Sequence, residues 1–216
     1  MNPMQDLLRQ IRREAQRTAG ETGRPRFSER VMAALEAVPR EAFVPEGLEQ
    51  RAYDDEPLPI GEGQTISQPF VVALMTDALD SAPGDRVLEI GTGCGYQAAV
   101  LSQLVAEVYS VEYLPVLGNA ATERLRRLGR DNVRVRIGDG REGWPEAAPF
   151  DGILVTAGAQ SVPPALTEQL APGGRLVIPV GRGLMGQELR RITKDADGAL
   201  HGETLLRVSF VPLVGG

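Results

Sequence analysis

The sequence predicts an α/β fold with a mostly parallel, doubly wound sheet and an antiparallel pair of strands near the end of the chain. Three observations support this prediction. Short apolar runs alternate with helical segments between residues 86 and 180, a glycine-rich loop follows the first run, and an acidic residue ends the second. Alternation of this kind implies right-handed crossovers, which place helices on both faces of a parallel sheet.

Two amphipathic helices are predicted before the sheet. One covers the first residues, and the other starts at Ser28, a residue type that is favoured at helix N-caps. Their apolar side chains would face inward, namely Leu7, Leu8 and Ile11 in the first helix and Val31, Leu35 and Val38 in the second. A loop is expected over Pro45–Gly63, and a third, apolar helix is expected from Phe70, with Pro69 in its first turn.

The alternating part begins after a turn at Pro83–Asp85. Its first strand is expected to start at Arg86. Further strands are expected at Val108–Val111, Val133–Ile137, Phe150–Thr156 and Arg175–Val180. Its helices are expected at Gln97–Val105, at Pro115–Leu128 and from Ser161 to Leu170. Glu188–Thr193 and Thr204–Val211 flank Asp197–Gly198, which predicts an antiparallel pair joined by a turn. We expect one domain, with an N-terminal segment at 1–80, a nucleoside-binding core at 81–185 and a hairpin at 186–216.

Composition narrows the class of protein. The 216 residues are 42% hydrophobic, which suffices for one full core. The net charge of −6 argues against a nucleic-acid surface, because such surfaces need clustered basic residues. A single cysteine, together with the lack of a signal peptide or a membrane-spanning run, predicts a cytoplasmic protein without a membrane partner. The sequence also lacks the cysteine and histidine spacing of a metal site, so no metal is expected.

The loop after the first strand indicates the kind of ligand. It runs from Gly91 to Gly95 with glycine at every second position, whereas dinucleotide-binding loops follow the pattern G-x-G-x-x-G and would place a glycine at Tyr96. Glu89 precedes the loop, where an acid would repel a diphosphate but tolerate the sulfonium cation of S-adenosylmethionine. We therefore expect S-adenosylmethionine rather than a nicotinamide cofactor. The alternative is a glycine turn that binds nothing.

Further candidates follow the other strands, because ligands of such sheets bind at the carboxyl ends of the strands. Glu112 ends the second strand, where its carboxylate can accept hydrogen bonds from ribose hydroxyls. Asp139 follows the third strand within Gly138–Gly140, and its carboxylate could accept a hydrogen bond from an adenine amino group. Aspartates in such turns also bond their own backbone, and both interpretations stay open.

The side chains available for acid–base or nucleophilic chemistry indicate what kind of group accepts the methyl. His201, the single histidine, is expected on the surface of the hairpin, and Cys94 lies inside the glycine loop, where a small side chain suffices. An acceptor that needs a strong base is therefore disfavoured. A carboxylate, with a pKa of about 4, is already ionised at neutral pH and fits these residues.

Seven segments match motifs that occur together in one enzyme family, namely Val38–Pro45, Pro57–Gly61, Gln64–Pro69, Val87–Gly95, Gly138–Arg141, Gly173–Gly181 and Phe210–Leu213. Over nearly its whole length the chain resembles the protein-L-isoaspartate (D-aspartate) O-methyltransferase family. Many methyltransferases share the nucleoside motifs, whereas Thr65–Ile66–Ser67 is specific to this family. The resemblance implies a Rossmann-like S-adenosylmethionine-dependent methyltransferase fold. It also implies methyl esterification of isoaspartyl and D-aspartyl carboxylates in damaged proteins and peptides, with repair through a succinimide.

The resemblance implies roles for individual residues as well. Ser67 is the residue usually credited with catalysis, and the Thr-Ile-Ser segment lines the junction of cofactor and substrate. The implied cofactor-binding residues are Thr65, Ser67, Glu89, Gly91, Thr92, Gly93, Cys94, Gly95, Glu112, Asp139 and Gly140. Cys94 stands where serine or another small residue is usual, and Val214 stands where some relatives have threonine.

The residues themselves leave two interpretations of Ser67. It precedes a predicted helix start, whose unpaired N–H groups would favour a substrate carboxylate beside the hydroxyl. Alternatively, Ser67 only caps the helix. A small-molecule carboxyl or O-methyltransferase is the alternative function, and only the region from Val38 to Pro69 argues against it.

Overall fold

The computed structural model describes residues 2–181 and 186–215. Over these residues the helices lie at Pro3–Arg17 (α1), Ala19–Thr22 (α2), Glu29–Ala37 (α3), Pro69–Leu79 (α4), Tyr96–Leu101 (α5), Pro115–Arg127 (α6) and Pro164–Glu168 (α7). The strands lie at Leu58–Gly61 (β1), Gln64–Ile66 (β2), Arg86–Ile90 (β3), Glu107–Glu112 (β4), Val133–Ile137 (β5), Phe150–Val155 (β6), Leu170–Val180 (β7), Gln187–Lys194 (β8) and Leu200–Val208 (β9). Within the described ranges no helix combines the length and apolar character needed to cross a bilayer. The predicted segment boundary at residue 185 lies outside the described residues.

The N-terminal helices form as the sequence predicts. Ser28 caps α3 by accepting the Val31 N–H at 3.3 Å, and Asn2 caps α1 in the same manner. The predicted inward positions are buried, namely Leu7, Leu8, Ile11, Val31, Leu35 and Val38. Helix α4 is buried along its whole length, because it contacts α1 and α3 as well as strands β6 and β7. The N-terminal segment therefore shares the core of the sheet.

The main sheet has the strand order β5–β4–β3–β6–β7–β8–β9. Pairs from β5 to β7 are parallel, and the pairs β7–β8 and β8–β9 are antiparallel, which confirms the predicted doubly wound sheet with its antiparallel C-terminal strands. The chain runs outward from β3 to β5 and then returns to β6 on the other side of β3. Ile90 at the end of β3 thus lies between Val111 of β4 and Val155 of β6. This switch in strand order is where such sheets bind ligands.

A short hairpin, β1–β2, lies where the sequence predicts a loop over Pro45–Gly63. Its turn residues, Glu62 and Gly63, have φ values of 52° and 69°. A two-residue hairpin turn of this type requires positive φ at both positions, for which Asn-Gly and Asp-Gly are the strong sequence signals. Glu-Gly is a weak signal by comparison, so the loop prediction was wrong at this point.

Other differences concern the ends of elements. Helix α7 ends before the predicted Leu170, because Leu170 begins β7 and pairs with Phe150 ahead of a register shift. Strand β7 therefore starts well before the predicted Arg175. Helix α5 is shorter than the predicted Gln97–Val105. Strand β9 ends at Val208 rather than at Val211, whose carbonyl instead accepts a hydrogen bond from the loop after β6.

Candidate active site

The glycine loop after β3 adopts a backbone conformation that favours glycine. Gly91, Gly93 and Gly95 have φ values of 94°, 53° and 89°, which residues with side chains rarely adopt. A Cβ atom at Gly91 would also overlap the hydroxyl of Thr156, which donates to the Gly91 carbonyl at 2.6 Å. The alternating glycines are therefore needed for the backbone conformation of the loop. At Gly91 and Gly93 they also leave the backbone uncovered along the wall of a cavity.

Gly95 and Cys94 are engaged in packing. A Cβ atom at Gly95 would lie 3.3 Å from Leu125, so this glycine lets α6 approach the loop. Cys94 is buried, and its carbonyl accepts from Arg124 at 2.8 Å. Burial raises the pKa of the Cys94 thiol to about 11, which keeps the thiol protonated at neutral pH. The thiol is thus a poor nucleophile, and cofactor contacts of these two residues stay a prediction.

Glu112 ends β4 beside the glycine loop and lines the same cavity. Its carboxylate oxygens accept the N–H groups of Gly93 at 2.7 Å and of Leu114 at 2.9 Å. These bonds fix the orientation of the side chain, and each oxygen keeps a lone pair for a further donor. Two neighbouring ribose hydroxyls match this arrangement, which is the role that the sequence predicts for Glu112.

The strand-end cavity, as we name it, lies over the carboxyl ends of β3, β4 and β6. Its lining residues are Gln64, Thr65, Ile90, Gly91, Gly93, Val111, Glu112, Tyr113, Gly140, Thr156, Ala157 and residues 211–214. The tail reaches it because the Gly158 N–H donates to the Val211 carbonyl at 2.8 Å and the Leu213 N–H donates to the Gly158 carbonyl at 2.9 Å. Sequence analysis did not single out Tyr113, although its place directly after Glu112 was an available signal.

Glu89 is held within the protein and does not line the strand-end cavity. Its side chain is fully buried and accepts a short hydrogen bond from Ser110, whose hydroxyl lies 2.5 Å from that of Thr92. Burial raises the pKa of Glu89 to about 8, with the charge of Glu112 adding to the effect, so Glu89 is mostly protonated at neutral pH. A contact of Glu89 with the cofactor stays a prediction. Glu89 supports the loop through Ser110 and Thr92.

Asp139 bonds its own turn, as one of the two interpretations predicts. It accepts the Arg141 N–H at 2.9 Å, and it forms an ion pair with the Arg141 guanidinium at 2.6 Å. This ion pair lowers the pKa of the Asp139 carboxyl. Gly140 lines the strand-end cavity, where a Cβ atom would overlap Ile90. The adenine contact of Asp139 stays a prediction.

Thr65 and Ser67 lie between the strand-end cavity and a second opening, which we name the Ser67 groove. Thr65 lines both, and Ser67 lines the groove together with a small cavity beside Thr92 and Gly93. The groove encloses about 640 Å³. Its lining residues are Glu14, Arg17, Thr18, Glu21, Pro57, Thr65, Ser67, Gln68, Phe70, Val71 and residues 206–210. The predicted Thr-Ile-Ser segment therefore borders the glycine loop on one side and an open groove on the other.

Ser67 does not cap α4, so that interpretation was wrong. Gln68 occupies the N-cap position without a side-chain cap. The carboxylate of Asp55 takes that role by accepting the Phe70 N–H at 2.8 Å and the Gln68 side-chain amide at 3.1 Å. The N-terminus of α4 is thus already occupied by a carboxylate of the protein itself, that of Asp55. Among the described residues the Ser67 hydroxyl has no hydrogen-bond partner, which leaves it available to a substrate.

Arg40 contacts the same segment and was missed by sequence analysis. It is fully buried, and its guanidinium donates to the carbonyl of Ser67 at 3.2 Å. It also donates to three carbonyls of the loop ahead of β1, those of Ala52, Asp54 and Glu56. Desolvation lowers the pKa of Arg40. Its place in the family-like segment Val38–Pro45 was an available signal, although no local pattern links residue 40 to residue 67.

The lining of the strand-end cavity has the chemistry expected of a site for a nucleoside with a cationic group. Bare backbone at Gly91 and Gly93 permits close approach, and Glu112 offers oriented acceptors with a negative charge. Apolar walls at Ile90 and Val111 suit an aromatic base. A pyrophosphate would meet the charge of Glu112 without a basic side chain among the described lining residues. These features match S-adenosylmethionine better than a dinucleotide.

Comparison with known proteins identifies the family of this chain. The sequence model of the family described as Protein-L-isoaspartate(D-aspartate) O-methyltransferase (PCMT) matches residues 19–216. The chain is 52% identical over 209 residues to protein-L-isoaspartate O-methyltransferase 2 of Polaromonas sp., covering 97% of this chain and 99% of the relative. It is 54% identical over 215 residues to the protein of the same name from Nitrosococcus oceani, covering 100% and 98%.

Two solved structures agree in fold. A protein-L-isoaspartate O-methyltransferase superposes with a TM-score of 0.85 at 33% identity, over 99% of this chain and 66% of the other. A putative protein-L-isoaspartate O-methyltransferase from Plasmodium falciparum, in complex with S-adenosyl-L-homocysteine, superposes with a TM-score of 0.80 at 26% identity, over 99% of both chains. The bound product in that structure is the demethylated form of S-adenosylmethionine, which is the cofactor of this chain. By its sequence and its fold, the chain belongs to the protein-L-isoaspartate (D-aspartate) O-methyltransferase family.

Proposed function

We propose that this protein transfers the methyl group of S-adenosylmethionine to the free carboxylate of isoaspartyl residues, with Ser67 as the catalytic residue that holds this carboxylate. The products are S-adenosylhomocysteine and a methyl ester, which closes to a succinimide without the enzyme by losing methanol and can reopen with water to a normal aspartyl linkage. The observation that carries the proposal is the position of Ser67. Its hydroxyl, which has no hydrogen-bond partner among the described residues, lies where an open groove meets the wall of the glycine loop.

The residues of the chain have little proton chemistry to perform. A carboxylate with a pKa of about 4 arrives ionised, so no general base is needed. The Ser67 hydroxyl would donate to one carboxylate oxygen and direct the other oxygen toward the methyl donor. Positioning of this kind can account for most of the acceleration of a displacement between two preformed reactants.

The cofactor-binding residues would act through shape and charge. Glu112 would receive the ribose hydroxyls, while Gly91 and Gly93 would admit the ligand to the backbone. When bound, S-adenosylmethionine supplies an activated methyl group on a sulfonium. Thr65, Thr92, Gly140 and the 211–213 tail would enclose the site, since Thr65, Gly140 and the tail line the strand-end cavity and Thr92 lines the small cavity beside it. An enclosed site keeps water away from the reacting atoms.

The Ser67 groove supports a peptide substrate over a small molecule. It is open and lined by polar and charged side chains of α1 and α2, including Glu14, Arg17 and Glu21. A flexible peptide could therefore lie across it with only the isoaspartyl group entering toward Gly93. Broad acceptance of flanking sequences follows, because backbone and carboxylate would be recognised rather than particular side chains. A cytoplasmic location remains a prediction from the single cysteine.

The test is incubation with methyl-labelled cofactor and two peptides that differ only in one isomerised aspartyl linkage. We expect label in the isomerised peptide alone, released by mild base as methanol. A third arm contains free succinate and other small carboxylic acids. Equal labelling of both peptides, or label mainly in the small acids, would overturn the proposal in favour of a less selective or small-molecule methyltransferase.

A further inference from the structure

Arg40 is an unusual residue for a protein interior. It is fully buried, and within the described part of the chain the acceptors of its hydrogen bonds are backbone carbonyls rather than carboxylates. Burial of a guanidinium costs free energy that carbonyl partners compensate only in part. Aliphatic residues would fill such a position more favourably if packing were its sole purpose. The contacts of Arg40 therefore need an explanation beyond the core.

Three of these hydrogen bonds go to the loop at residues 52–56, and the fourth goes to the residue that would hold the substrate. Nη1 of Arg40 donates to the Ala52 carbonyl at 2.6 Å, and Nη2 donates to the carbonyls of Glu56 at 2.9 Å and of Ser67 at 3.2 Å. A single nitrogen thus joins the loop ahead of β1 to the backbone of Ser67. The rigid, planar fork of an arginine can bridge separate carbonyls in this manner, whereas a lysine offers one compact donor group.

The flanks of Ser67 are held independently. Ile66, directly before it, is buried and pairs with Leu58 in the β1–β2 hairpin. Gln68, directly after it, donates its side-chain amide to Asp55 at 3.1 Å. Because these contacts hold the neighbouring residues, the contact with Arg40 is the one that acts on the peptide unit of Ser67 itself. It would set the direction in which the hydroxyl points.

We propose that Arg40 is a positioning residue for methyl transfer, which acts by fixing the backbone of Ser67 against the loop at residues 52–56. The proposal rests on the proposed catalytic role of Ser67. It assigns to Arg40 no contact with the substrate or the cofactor. Its effect should therefore disappear when the Ser67 hydroxyl is removed.

A double-mutant cycle tests this dependence. We expect Ser67→Ala to lower kcat/KM for an isoaspartyl peptide about 100-fold and Arg40→Lys to lower it about 10-fold. The double variant should fall within about threefold of Ser67→Ala alone, because Arg40 then has no hydroxyl to position. A fall of about 1,000-fold, the product of the single effects, would overturn the proposal.

Binding measurements separate positioning from general damage. Calorimetry should show that Arg40→Lys changes the Kd of S-adenosylhomocysteine by less than about threefold. Binding of a fluorescent isoaspartyl peptide, measured with S-adenosylhomocysteine present, should weaken about tenfold in Arg40→Lys, and the double variant should bind the peptide no more weakly than Ser67→Ala alone. Equal weakening of both ligands would assign Arg40 a structural role and overturn the proposal.

Arg30→Lys is the matched control. Arg30 also donates to two carbonyls, those of Ser81 and Leu104, each at 2.9 Å, and it lines neither the Ser67 groove nor the small cavity beside Ser67. Its substitution should leave peptide kinetics unchanged. If Arg40→Lys shows no cooperative unfolding transition, Arg40→Gln replaces it in the cycle, and failure of both variants to fold would overturn the proposal. An unaffected Ser67→Ala variant would instead refute the role of Ser67, which is a distinguishable result.

Discussion

The two sides of the candidate site are built by different means. The cofactor side consists of strand ends and tight loops, in which Gly91 and Glu112 are held by the ladder between β3 and β4. The substrate side consists of a short hairpin and a helix start, in which Ser67 is held by Arg40 and its neighbours by Asp55. Both sides pack into the core, but the first is positioned by the strand ladder and the second by a few side-chain hydrogen bonds. Substitutions on the cofactor side should therefore affect stability, and those on the substrate side should mainly affect turnover.

Among single substitutions at a fixed pH, a large loss of stability is expected for Gly91→Ala. The positive φ of 94° costs about 1–2 kcal/mol for a residue with a Cβ atom, and the overlap with Thr156 adds about 1–3 kcal/mol. Urea unfolding should show a loss of about 3 kcal/mol. Gly129→Ala is the matched control, since Gly129 has a φ of 65° and its Cβ position has no neighbouring atom within 4 Å, and it should lose about 1 kcal/mol. Equal losses would contradict the close approach of Thr156.

Glu112→Gln should weaken the binding of S-adenosylhomocysteine about 30-fold, or about 2 kcal/mol. The substitution keeps the shape of the side chain but removes the charge and one acceptor that would face the ribose. Calorimetry measures the effect directly. Glu123→Gln on the surface of α6 serves as the control and should leave the affinity unchanged. An unaltered affinity in Glu112→Gln would remove Glu112 from the cofactor site.

Glu89 predicts a dependence of stability on pH. Its pKa lies near 4.5 in an unfolded chain and at about 8 in the folded one, so the folded state binds the extra proton between these values. The stabilisation is complete below about pH 4.5 and is lost as the pH rises toward 8. The unfolding free energy of the natural chain minus that of Glu89→Gln should fall by up to about 1.4 kcal/mol per pH unit. Urea unfolding at several pH values measures this difference, and a constant difference would indicate that Glu89 is ionised throughout.

Asp55→Ala tests the polar contacts on the substrate side of the site. Loss of a helix cap should cost about 1 kcal/mol of stability, and Ser28→Ala at the cap of α3 should cost a similar amount. Only Asp55→Ala should also lower kcat/KM for an isoaspartyl peptide, by about 5- to 10-fold, because Gln68 beside Ser67 loses its partner. Steady-state kinetics and thermal unfolding of both variants provide the test. Similar kinetics in the two variants would show that Asp55 acts on stability alone.

The same contrast explains what could be predicted from the sequence. The cofactor side depends on local patterns, namely glycine alternation in the loop and an acid at the end of the next strand. Those patterns predicted the doubly wound sheet and the placement of Gly91 and Glu112 at its strand ends. The parallel register of β3 and β4 then brings Gly93 and Glu112 within hydrogen-bond distance without further information.

The substrate side could not be predicted in this way. Ser67 was identified through the resemblance to a family, and the capping role considered for it belongs to Asp55. The bond from Arg40 to Ser67 spans 27 residues of sequence, and no periodicity relates such positions. The protonated state of Glu89 was equally hidden, because burial decides it and burial of an acid within a strand depends on the helices packed over it.

The tail at residues 211–213 gives the fold one more property. The tail follows β8 and β9 in the chain and returns from the outer edge of the sheet to Gly158. It can therefore line the strand-end cavity only when those two strands are in place. Ligand occupancy and docking of the last strands are thereby thermodynamically linked, and a molecule bound over β3 would protect the far edge from local unfolding. A molecule whose last two strands are undocked would lack this part of the cavity wall and should bind the cofactor more weakly.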